Sequence, residues 1–373
     1  MSKLLLSLLI IAGAVCWPDQ AVAVDIDKPL NLAFVADRQD SLIDVIDLKK
    51  GKVVFTIETG FRADQLVVSP YTPILLYTNT ELKAAVFYDL STRQTAARIS
   101  LPMTPRHLVI DTTGLKAGAS DNREGGFVLF SLTARNLLFY VADFPPTGDV
   151  LFDPNDVDVY YTNPATAALG VFSINTQRFA ELPLADAPDQ ALSSPSRSLD
   201  GRHIYVANET TGEVYNINSF SKMIFKTFST GSSPARPYTT PQGAFLYLMD
   251  QQSGRMVTVE QGMFKEYADT RFEHGIDAVA VGRFDRYNLF MSTNNAHFVF
   301  YDNLEKALLR EGMFQGQPLA VRGSADGRTA YVAFADVAKV AMIDLENQAI
   351  RYFPATRNGA GAFAMGLSNN VCH

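Results

Sequence analysis

The residues of this chain best suited to ligand chemistry are arginines, histidines and aspartates that stand just before short apolar segments. Arg62, Arg106, His107, Asp149, Arg236, His274, Asp277 and Arg357 form this set. A guanidinium presents a planar fork of donors that matches carboxylate or phosphate oxygens. An imidazole beside it can accept, donate or ligate. Converging, these side chains would make a cationic site for a small anionic ligand. A second group closes the chain, where Cys372 and His373 bring thiolate, imidazole and terminal carboxylate together. Such donors suit copper or zinc. Two side chains are too few for a closed metal site, so His107, His274 or a partner chain would have to contribute. Val371-Cys372-His373 also matches the end of a haem-attachment motif, without its first cysteine.

Other catalytic signatures are missing. The chain has no G-x-S-x-G elbow, no H-E-x-x-H, no P-loop and no C-x-x-C-H. Gly359-Ala360-Gly361-Ala362 lacks dinucleotide-loop spacing and reads as the entry to a final strand. His203 and His297 fall at hairpin edges, where a histidine is ordinary.

The elements that would position the first group follow from a phrase used eight times: Val45-Ile46-Asp47-Leu48, Phe87-Tyr88-Asp89-Leu90, Leu129-Phe130-Ser131-Leu132, and so on to Met342-Ile343-Asp344-Leu345. Its small polar residues, at 47, 89, 131, 173, 216, 258, 302 and 344, are spaced by 42 to 44 residues. A period near 40–45 with β-type content marks propeller blades. Asp, Ser, Asn and Thr at a strand end bond nearby backbone, so the eight markers read as turn residues, not ligands. Each repeat divides into four strands by alternation and by Gly, Asp and Lys interruptions. The expectation is an all-β chain forming one β-propeller of eight four-stranded blades, or seven if the degenerate third unit merges with a neighbour. Blade 1 has no innermost strand before it, whereas Ala362-Phe363-Ala364-Met365-Gly366-Leu367 is an orphan strand at the far end. The C-terminal strand should therefore close blade 1 and remove the exposed edges. In this architecture the connections into innermost strands surround one mouth of the central channel, and they carry the arginine–histidine–aspartate set.

Tyr161-Thr162-Asn163 and Tyr205-Val206-Ala207-Asn208, each followed by an apolar strand ending in a polar residue, resemble the bacterial YVTN-type (YncE-like) propeller repeat. The resemblance spans nearly the whole chain after its first residues. It implies a propeller and leaves function open, since such repeats occur in surface proteins, secreted binding proteins and dehydrogenase subunits.

The ends and the composition bound the setting. Lys3, the apolar run from Leu4 to Val15, Pro18 and Ala21-Val22-Ala23 read as an export signal cleaved after Ala23. That assigns residues 1–23 to the signal and 24–373 to the propeller, with a periplasmic location. No later apolar run is long enough to span a bilayer. A formal charge of −7 disfavours nucleic acid, which demands basic stripes. With Cys16 in the signal, Cys372 has no internal disulfide partner. The first functional reading is a non-catalytic binding or scaffold protein that offers its channel mouth to a partner protein or small anionic ligand. The second is a propeller subunit or cofactor-binding component of a periplasmic redox system of amine-dehydrogenase or d1-haem type, with His107 or His274 as axial ligand. The third is metal handling through Cys372 and His373.

Overall fold

The computed structural model describes residues 29–366. Its strands form eight four-stranded antiparallel sheets arranged as a β-propeller, and among the described residues the only helical segments are short 3-10 turns. The seven blades after the first are each built from four consecutive strands, running inner to outer. Blade 1 differs. Its outer three strands are Lys52–Glu58, Leu42–Asp47 and Leu32–Asp37, and its innermost strand is Ala360–Met365 from the C-terminal end. The expected closure is thus present, and the count is eight.

Closure follows from side-chain alternation. Ala362 and Ala364 join the apolar cluster of Phe34, Leu66 and Leu75 between blades 1 and 2. Phe363 and Met365 join Ala33, Val35 and Ala333 on the side of blade 8. One strand with a two-residue period therefore seals both of its inter-blade interfaces. Gly359 introduces it with φ of 85°, and an added Cβ there would lie 2.3 Å from the Ala335 carbonyl oxygen. Glycine alone tolerates that approach.

Two polar positions recur in the blades. The third strands end at Asp47, Asp89, Ser131, Ser173, Asn218, Glu260, Asp302 and Asp344, spaced by 42 residues except for one step of 45 between blades 4 and 5. Asp47, Asp89, Asp302 and Asp344 each accept two amide hydrogen bonds from the following turn, and Ser131 accepts one. Asn216 and Thr258 do not serve as turn residues. They stand two residues before the strand end, on the same face, and both are buried. Asn218 takes the turn instead, accepting from Phe220 and Ser221. Residues two apart in a strand are equivalent in a polar–apolar pattern, which is why the register was ambiguous.

The second recurring position ends the second strand. Asp37, Asn79, Asp121, Asn208 and Asp250 all bond the next hairpin's amides. Asn79 also donates to the Arg62 carbonyl, and Asp250 accepts from the Ser233 amide. These side chains tie each hairpin to the connection arriving from the preceding blade. They place the backbone of the channel-mouth segments.

Gly170 shows how tightly the blades pack. Its ideal Cβ would fall 2.0 Å from the ring of Tyr161, which is buried in the blade 3–4 interface. Gly170→Ala should destabilise the fold by about 2–3 kcal/mol through overpacking, read as a lowered denaturation midpoint with an unchanged m-value.

Candidate functional site

The inner strands of blades 5 and 6 are only two residues long, Ser196–Arg197 and Tyr238–Thr239. Pro195, Pro237 and Pro241 flank them, and proline has no amide to donate to a ladder. The wall of the channel is correspondingly open here. A cavity of about 590 Å³ lies along the inner strands of blades 4 to 8, with Asp149, Arg236, Tyr238, Asp277 and Arg322 on its wall.

Asp149 organises the charge at this cavity. One carboxylate oxygen meets His107 Nδ1 at 3.0 Å, and the other meets Arg236 Nη1 at 3.3 Å. Burial works to raise the Asp149 pKa, but the His107 hydrogen bond and the Arg236 charge outweigh it and hold it below the ordinary value. Arg236 is fixed by a second bond, Nη2 to the Pro195 carbonyl at 2.6 Å. Arg322, in the inner strand Pro318–Gly323 of blade 8, is half-buried on the cavity wall with Nη1 on its own neighbour's carbonyl, that of Val321, at 2.9 Å. Burial lowers its pKa, partly countered by the charge of Asp149. Among the described residues, no carboxylate comes within ion-pair distance of Arg322. Of the two guanidiniums, Arg236 alone pairs with Asp149, and Arg322 acts on that carboxylate only at longer range. Asp277 is occupied by Thr293, whose amide and hydroxyl both donate to it, and burial raises its pKa.

The expected set therefore divides. His107, Asp149 and Arg236 form one hydrogen-bonded group, and Asp277 lies on the same cavity wall. Arg62 and Arg106 pair instead with Asp64 at 2.7 Å and with the buried Asp121 at 3.0 Å. Arg357 extends into solvent near Asp40, while its amide serves Asp37. His274 is exposed and packs edge-to-face on the buried ring of His297, with centroids 4.7 Å apart. None of these four lines the cavity. Asp64, Asp121, Asp40 and His297 are their respective neighbours instead. Cys372 and His373 lie outside the described residues. Among the described residues, no three His, Cys, Asp or Glu side chains are grouped so as to hold a metal ion. No helix among them is long and apolar enough to cross a membrane.

Arg197, Tyr238 and Arg322 are cavity residues outside the set expected from sequence. All three sit inside innermost strands rather than in the connections before them. A signal for Arg322 was available: an arginine directly after the apolar run Leu319-Ala320-Val321 is costly unless it faces a polar space.

No family model matches this chain, and no curated protein matches it in sequence. Solved structures share its fold. Dihydro-heme d1 dehydrogenase NirN in complex with DHE superposes with a TM-score of 0.75 at 14% identity, over 91% of this chain and 76% of that one. The C-terminal WD40 domain of Sif2 gives 0.63 at 14% identity, over 81% and 86%. Kuenenia stuttgartiensis hydrazine synthase gives 0.54 at 13% identity, over 79% and 95%. At such identities the likeness is one of fold, and these relatives differ in what their names describe.

Proposed function

We propose that this chain is a non-catalytic binding propeller, exported to the periplasm and of the YVTN type, whose channel cavity receives a small anionic ligand between Arg236 and Arg322. One observation carries this reading: Arg197, Arg236 and Arg322 line one cavity whose two carboxylates, Asp149 and Asp277, are already engaged by His107 and Arg236 and by Thr293. An anion entering there would relieve the cost of burying Arg322 and could accept the fork of either arginine. The His107–Asp149 contact holds Asp149 against Arg236, so the group is rigid before any ligand arrives.

Citrate and phosphate, titrated separately by calorimetry, are suitable probes. At least one should bind with 1:1 stoichiometry, and Arg322→Gln should weaken it at least tenfold. Equal affinity in the wild type, Arg236→Gln and Arg322→Gln would overturn the assignment.

A second reading has its own support. With Nδ1–H donated to the Asp149 carboxylate, the His107 Nε2 lone pair is free to ligate, the arrangement of many metal-ligating histidines. Two nearby arginines suit the carboxylates of a tetrapyrrole, and NirN binds its d1-haem-related ligand on a propeller-containing chain. These residues fit a haem in donor chemistry: His107 would ligate its iron, and Arg236 and Arg322 would meet its carboxylates. A bound haem would supply electron transfer. A Soret band in protein isolated from the periplasm, lost in His107→Ala, would favour this reading over the first.

A further inference from the structure

The interface between blades 4 and 5, where the 45-residue step falls, holds a cleft of about 320 Å³ unconnected with the arginine cavity. Its origin lies in the outer strand of blade 4, Arg178–Pro183. Alternation sends Phe179 toward blade 3, where it packs on Phe144, Tyr161 and Phe172. Arg178, Ala180 and Leu182 are left to face blade 5. Ala180 is too small to fill the gap, and a space remains against Leu169, Ile204 and Ile217.

The two ends of this cleft differ in chemistry. Its depth is aliphatic. Its mouth carries Arg178, next to the turn between the third and fourth strands of blade 4, and Lys222, from the corresponding turn of blade 5. Lys222 Nζ bonds the Tyr160 hydroxyl at 2.6 Å and forms an ion pair at 3.6 Å with Asp158, which also lines the cleft. An ammonium has three protons, so donor capacity remains. Arg178 has no ion pair among the described residues. Glu181, also at the cleft, is already taken up by Asn163 and Thr166. Of the charged groups lining the cleft, Asp158 and Lys222 pair with each other and Glu181 is held by Asn163 and Thr166, which leaves the Arg178 guanidinium without a partner among the described residues.

We infer that this cleft is a second binding site, for an amphiphilic monocarboxylate whose hydrocarbon part lies against Leu169, Leu182, Ile204 and Ile217 and whose carboxylate meets Arg178 and Lys222. The volume is at the lower end of the range for ligand pockets, about 300–1,000 Å³, which suits a molecule the size of octanoate. Burial lowers the Lys222 pKa, partly countered by the carboxylates of Asp158 and Asp153.

Octanoate titrated into the full mature chain by calorimetry tests the assignment. One equivalent should bind, excess citrate should not compete, and octan-1-ol should bind at least tenfold more weakly. Arg178→Gln, an exposed change, should weaken octanoate at least fivefold. Ala180→Phe should abolish binding while thermal unfolding remains cooperative. Equal affinity for octanoate and octan-1-ol would reduce the site to an apolar crevice and overturn the carboxylate assignment. Absence of octanoate binding, binding unchanged in Arg178→Gln, or displacement by citrate would each overturn the site. None of these outcomes depends on whether the channel cavity binds an anion.

Discussion

Ending the chain after Gly359, so that Ala360–Met365 is missing, is expected to abolish cooperative unfolding. The closing strand pairs Ala33 with Met365, Phe34 with Ala364, Val35 with Phe363 and Ala36 with Ala362. Its loss forfeits several ladder hydrogen bonds, each worth about 1 kcal/mol net. It also uncovers the side chains of Phe363's and Met365's neighbours and removes those two residues from the core, at about 2 kcal/mol apiece. The total, on the order of 10 kcal/mol, is comparable to the whole stability of an ordinary domain. The break would leave blade 1 open next to blades 2 and 8 and present a free strand edge. Circular dichroism against denaturant should show a broad, shallow transition, with self-association in solution. A sharp transition near the full-length midpoint would mean that closure is dispensable.

Replacing Asp37 should be the most damaging single polar change. It is only 1% exposed, and it accepts from the amides of Gln39, Asp40, Arg357 and Asn358 and from the Asn358 side chain. Two of those amides belong to the connection that leads into the closing strand, so one carboxylate ties the beginning of the propeller to its end. Asp37→Ala leaves several buried donors unpaired, each costing about 1–3 kcal/mol, and a loss of about 4 kcal/mol is expected. The pH dependence follows the same contacts. Burial pushes the Asp37 pKa up, but the amides of Asp40, Arg357 and Gln39, with Asn358, outweigh it and bring it from 3.8 down to about 2. A carboxyl whose pKa is lower in the folded state stabilises fully above its unfolded value and loses that contribution as pH falls through the folded one. The stability gap between wild type and Asp37→Asn should therefore be constant above about pH 5 and shrink between about pH 4 and 2. A gap independent of pH across that window would contradict the role given to the charge.

The blade architecture was legible because repetition multiplies a weak signal. A single Val-Ile-Asp-Leu says little, but eight of them at a nearly constant step leave little choice of fold. The closing strand was legible by elimination, as an innermost segment at one end matched a missing one at the other. The markers were read correctly as turn chemistry at Asp47, Asp89, Ser131, Asp302 and Asp344, and shifted by two residues at Asn216 and Thr258, where alternation made both registers look alike. The second polar position, typified by Asp37 and Asp250, was visible only as the last letter of a repeated strand. Its task, holding a connection from the preceding blade, joins residues as far apart as Asp37 and Arg357.

The candidate site was legible in part for a related reason. The connections into innermost strands do surround the channel, and His107, Asp149 and Arg236 were found through that rule. Whether a side chain in such a connection turns to the axis or to a local partner depends on distances that no linear spacing encodes. Arg62 had Asp64 two residues away and Arg106 had Asp121 across a hairpin, and both were captured there.

What the sequence determined by itself is the period, the strand order within each blade and the origin of the closing strand, because these depend on local alternation and on counting. What the tertiary structure decided is which charges meet. Arg322 and Asp149 come from blades far apart in the chain and share a cavity only because the ring closes. The blade 4–5 cleft exists only because Phe179 packs on one side of its strand and leaves Ala180 on the other.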